Sequence, residues 1–165
     1  MQRELRRCHD HLVSIGTGVS LFGIWTVVRV IMNVILERQQ FFEEIQASES
    51  EIPMDTRMLM AITLIIIAVL CLMILGIHLY IGMSARAEGL GSKKRTGYLI
   101  ATGVFILLYG VGIVSEILQY QTCFQGITDA VATVFIDMTM LVTLIELMYN
   151  AVRARKITAQ LAEQG

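Results

Sequence analysis

"LMAITLIIIAVLCLMILGI", residues 59–77, decides the fold: it runs without a charged residue or a proline. Crossing a hydrocarbon core of about 30 Å takes about 20 helical residues at about 1.5 Å each. A helix buried in a soluble core is usually shorter. The stretch predicts a membrane-spanning helix over 58–83.

Three more apolar stretches flank it, at 11–36, 97–118 and 128–152. A soluble chain of 165 residues could not cover four such helices. Composition agrees. Hydrophobic residues make up 55% of the chain and mean hydropathy is +0.66, whereas soluble domains hold about 45–50% apolar residues even with glycine counted. The lone proline, Pro53, lies between stretches, so the helices are unbroken. The expected fold is all-α: a polytopic membrane protein, with four transmembrane helices in an antiparallel bundle forming one domain over 1–165. The first stretch is longer than the apolar part of a signal peptide, and no A-x-A-like site follows it, so it reads as an uncleaved span.

Loop charges set the orientation. Arg3, Arg6 and Arg7 precede the first span, Arg86, Lys93, Lys94 and Arg95 lie in the 84–96 loop, and Arg153, Arg155 and Lys156 follow the last span. The other side holds Arg38 and Arg57. Lys and Arg stay in the cytoplasm during insertion. Both termini are therefore expected inside, in the plasma (inner) membrane, with 37–57 and 119–127 outside. The 37–57 loop carries Glu37, Glu43, Glu44, Glu49, Glu51 and Asp55. It reads as a solvated acidic loop that could also concentrate cations. The short 119–127 connection makes spans three and four a helical hairpin.

Polar residues inside spans are rare and usually face protein or water. In "IWTVVRVIMNVI", 24–35, Arg29 lies about 10 Å below the outer end of its span, and Asp137 about 13 Å below the same surface. Each alone would cost about 2.5–3.5 kcal/mol. An ion pair between them is expected, with Tyr109 and Asn33 at similar depth to take further guanidinium hydrogens. Glu116 and Asp129 lie near the outer mouth. Thr102, Tyr109 and Glu116 form one heptad stripe; Asp129, Thr133 and Asp137 step down the outer half of the fourth span at four-residue intervals, and Thr139, Thr143, Glu146 and Asn150 step down its inner half. His78 and Glu146 lie about 8–9 Å from the inner end and form a candidate hydrogen-bonded pair. Gly16, Ser20 and Gly23 form a small-residue row that lets a neighbouring helix approach closely, and Gly103 and Gly110 repeat it on the third span.

"CHDH" at 8–11 offers Cys8, His9 and His11 as weak candidates for a metal. Consecutive helical residues do not converge on one ion, however: His9 and His11 point about 200° apart. No metal and no cofactor is expected. The three cysteines, Cys8, Cys71 and Cys123, sit at different depths, which excludes an internal disulfide in this topology. "YGVG" at 109–112 has the letters of a potassium filter but lies inside a full span, where a filter cannot form.

No catalytic constellation survives a geometric test, so the chain does not read as an enzyme. Nothing points to nucleic acid. The expected partners are the lipid bilayer and either further copies of the chain or another membrane protein. Two functions fit: a non-catalytic accessory, regulatory or assembly component acting through helix packing, or an oligomeric cation channel or proton-coupled transporter using the intramembrane acids.

Overall fold

A computed structural model describes residues 2–36, 56–92, 96–118 and 127–163. Four helices account for nearly all of them: α1 (Gln2–Leu36), α2 (Thr56–Gly89), α3 (Gly97–Leu118) and α4 (Ile127–Glu163). Each is long and apolar enough to cross a membrane. The described part of the chain is thus all-helical, as its apolar runs require. The loops expected outside fall almost wholly beyond the described residues, and so do Lys93, Lys94, Arg95 and Cys123.

The run "TLIIIAVL" (63–70) shows why a membrane matters to this fold. β-Branched residues lose χ1 freedom in a helix and are poor helix formers in water. In hydrocarbon, each backbone N–H and C=O must find a partner inside its own segment, and only a helix provides this.

The helices overshoot the apolar spans at the basic end. α1 starts at Gln2, α2 continues to Gly89 and α4 to Glu163, against span ends at 11, 83 and 152. α2 then stops by geometry. Gly91 takes φ of +81°, its N–H donates to the Glu88 carbonyl, and the Ser92 N–H donates to the Ala87 carbonyl. This is a Schellman cap, and glycine meets its left-handed position at no steric cost. α3 begins after Thr96, whose carbonyl accepts from the N–H groups of Leu99 and Ile100.

The chain divides into two compact units, Met1–Ser20 with Leu79–Gly165, and Leu21–His78. The first unit holds most of the core. Along α4, Met140, Leu144, Leu147, Ala151 and Ala154 are buried at steps of three and four residues, one continuous helical stripe. α3 packs against α4. Cys8, Leu12, Gly16 and Val19 form the buried stripe of the first part of α1, and Ile81, Ser84, Ala85 and Glu88 that of the end of α2. In the Leu21–His78 unit, by contrast, only Gly23 and His78 are buried among the described residues.

Candidate functional site

A fully engaged polar cluster lies in the first unit, where α2, α3 and α4 supply one residue each. Glu88 is 5% exposed. Arg155 grips it with two donors, Nε to Oε1 at 2.7 Å and Nη2 to Oε2 at 2.6 Å. The Tyr98 hydroxyl donates to Oε2 at 2.9 Å. The guanidinium carbon also lies 5.9 Å from the centroid of the Tyr98 ring. A planar two-donor fork matches a carboxylate in a way that lysine cannot. Burying a charge is costly unless it is paired and hydrogen-bonded, and here both conditions are met. The neighbouring pair of Arg153 and Glu4, 3.4 Å apart, has both side chains about half exposed and contributes little.

This cluster is a clasp, since all three groups are occupied with one another. The sequence counts Arg155 among the basic residues after the last span and by itself assigns no role to Glu88 or Tyr98. One signal was present: Glu88 is the sole acid in the basic stretch "SARAEGLGSKKRT" (84–96). It also continues the 81, 84, 85 spacing of a helix face.

A second theme is close helix approach. A Cβ on Gly16 would lie 2.6 Å from the Gly82 carbonyl oxygen, and one on Gly89 would lie 2.7 Å from the His9 carbonyl oxygen. A Cβ on Gly82 would collide with the Gly16 carbonyl and the Ser20 hydroxyl. The Ser20 hydroxyl itself donates to the Gly16 carbonyl. Within the other unit, Gly23 backs onto His78, whose Cβ would stand 2.5 Å from an added methyl. Gly82 and Gly89 are seven apart, as are Gly16 and Gly23. That matching spacing is visible in the sequence. Gly103 and Gly110 differ: a Cβ at either meets nothing within 4 Å.

The polar stripes divide into two kinds. On α4, Thr133 is buried and Asp137 half-buried, in line with the apolar stripe below them. Thr139, Thr143, Glu146 and Asn150 lie about a quarter of a turn round and are exposed or half-exposed. Their hydroxyls need no neighbour. Thr139 donates to the Phe135 carbonyl and Thr143 to the Thr139 carbonyl. The same bond to the carbonyl four residues back is made by Thr17, Thr26, Thr63, Thr102 and Thr158. A threonine satisfied this way can face lipid, so a hydroxyl stripe does not by itself mark a wet path.

Other expected site residues are placed one by one. Arg29 and Asp137 are half-buried, and each is engaged in an interaction. Tyr109 is half-buried, its ring 6.2 Å from that of Phe105. His78 is fully buried, and its Nδ1 donates to the Ile74 carbonyl at 2.8 Å. Of the inner pair expected between them, His78 belongs to the Leu21–His78 unit and Glu146 to the other, where it is exposed on α4. The side chains of Asn33, Glu116 and Asp129 lie outside the described residues. Cys8 is buried, His9 half-exposed and His11 exposed, and among the described residues no three potential metal ligands gather at one point.

With this geometry in hand, comparison with known proteins yields no match to a family model, a curated protein or a solved structure. The functional reading rests on the residues alone.

Proposed function

We propose that the chain is a non-catalytic, multi-pass membrane protein acting as an accessory, regulatory or assembly component through helix packing. Its termini and the 84–96 loop lie in the cytoplasm, and the four helices run antiparallel in the plasma (inner) membrane. The order of contacts in the first unit supports that threading, since His9 meets Gly89 and Gly16 meets Gly82. The observation that carries the functional reading is the Glu88–Arg155–Tyr98 clasp. Among the described residues Glu88 is a buried carboxylate occupied by its neighbours, which suits holding helices together.

One observation favours a transport reading instead: Asp137 is half-buried in line with the buried Thr133 on a single face of α4. Purified protein in liposomes, tested with proton- and potassium-sensitive dyes, separates the two. No flux above empty vesicles is expected. Flux abolished by Asp137→Asn would replace the packing reading with the transport one. Orientation is tested by cysteine labelling at Ser92, with the native cysteines removed. The position should resist an impermeant maleimide in intact cells and react after lysis.

A further inference from the structure

The basic end of the first unit holds more cations than its own acids can meet. Along 2–10, 84–92 and 153–163 stand seven cations and four acids. Two of those acids are spoken for: Glu88 is gripped by Arg155, and Glu4 pairs with Arg153. Arg3, Arg6, Arg7, Arg86 and Lys156 are all exposed, and their side chains make no hydrogen bond or ion pair among the described residues. Asp10 and Glu163 remain to balance these five.

Two exposed tyrosines mark the edge of the membrane beside them. Tyr80 on α2 and Tyr149 on α4 each lie three residues before the end of an apolar span. Tyrosine gathers at the headgroup level, its ring in the apolar layer and its hydroxyl in water. The clasp sets the two rings level. Tyr80 lies eight residues before Glu88, and Tyr149 six before Arg155, a difference of about 3 Å on helices that run the same way. α3 starts at this height too, since a Cβ on Gly97 would stand 2.8 Å from the Tyr80 hydroxyl oxygen. Arg86 follows Tyr80 by six residues and Lys156 follows Tyr149 by seven, about 9–11 Å further on. The headgroup region is about 5–8 Å thick in each leaflet. Helical side chains tilt toward the N-terminus, which on α2 and α4 is the membrane side, and the stems of arginine and lysine are long enough to carry the charge back. We infer that anionic phospholipids of the cytoplasmic leaflet dock at this end, their phosphate groups held by Arg86 and Lys156, with Arg3, Arg6 and Arg7 adding attraction from further out. The argument for that occupant is charge complementarity: the cytoplasmic leaflet is the anionic one, and basic residues just inside a span draw its headgroups. The inference rests on the threading proposed above, which makes this the inner end.

Electron paramagnetic resonance tests it with the full-length protein in phosphatidylcholine liposomes. A trace of spin-labelled phosphatidylglycerol or spin-labelled phosphatidylcholine reports the fraction of each lipid slowed at the protein surface. At low salt the wild type should favour phosphatidylglycerol about three-fold, and the preference should fall close to one at about 1 M salt, where charges are screened beyond about 3 Å. Arg86→Gln combined with Lys156→Gln should at least halve it. Both side chains are exposed and unpaired, so the fold is not put at risk. Eight basic residues remain at this end against two at the other, so the threading is not either. Arg57→Gln, at the far end of α2, should leave the preference unchanged. Equal slowing of the two lipids by the wild type overturns the inference. So does a preference that survives high salt, that the double variant keeps in full, or that Arg57→Gln reduces as much. Both leaflets of these liposomes hold the same lipids, so the result does not depend on which end faces the cytoplasm. An error in the threading shows only in the labelling at Ser92.

Discussion

The two units treat the same apolar alphabet in opposite ways. In Leu21–His78 the side chains point outward: Ile65 is 62% and Leu72 69% exposed, and the buried positions among the described residues are Gly23 and His78. In the other unit, leucines, alanines and a methionine line a continuous stripe, and a glutamate, an arginine and a tyrosine are folded in with them. Lipid tails are as apolar as leucine, so within a bilayer the hydrophobic effect gives no reason to bury these side chains against one another. Specific contacts must then be made by polar pairing and by backbones brought close over glycine. Among the described residues the first unit shows both, in the clasp and at Gly16, Gly82 and Gly89, and the second shows a close glycine contact at Gly23.

Substitutions can break that contrast. The largest effect should come from the clasp. Glu88→Ala leaves Arg155 without its carboxylate and Tyr98 without its acceptor, and should destabilise the protein by about 2–4 kcal/mol, toward the lower end for a buried pair because Arg155 is 22% exposed. Thermal melts in mild detergent measure this. In a cycle with Arg155→Met, the two losses should not add, and strict additivity would dissolve the clasp as an energetic unit. Next come the glycines. Gly82→Ala drives a methyl into the Gly16 carbonyl and the Ser20 hydroxyl and should cost about 1–3 kcal/mol. Gly103→Ala, into open space, should be neutral in the same melt. If both prove neutral, close approach is not what holds the first unit. The smallest effect belongs to the outward apolar surface. Leu72→Ala should move stability by no more than about 0.5 kcal/mol. A large loss there would mean that Leu72 is covered by protein rather than by lipid.

The helices were legible because their signal is local. A charge-free run of span length predicts itself, and α3 occupies the expected 97–118. The clasp was harder to read because it joins residues 88 and 155, and because the apolar signal stops at 83 while the helix does not. Only continued helical phase, past the span end at 83, aligns Glu88 with Ile81 and Ala85. The stripe at 139–150 misled for a different reason. Its polarity suggested an inward face, but the apolar stripe at 140–154 is longer and claims the core. The glycines were half legible. Small size at seven-residue spacing is visible in the sequence, but what each glycine meets is not: Gly16 touches another backbone and Gly103 touches nothing.

The clasp also bears on how the molecule is made. Glu88 and Tyr98 leave the ribosome early, whereas Arg155 emerges only after the whole of the last apolar stretch. Until then the carboxylate that will be gripped has no cation from α4, and the nascent protein carries an unclosed polar group at the end of α2. Closure thus reports that the last segment has arrived and is in register. A chain cut after Val152 would have every span yet no way to close, and pulse-chase labelling in cells should show it removed faster than the full-length protein. Equal lifetimes would mean that the cell does not read this bond.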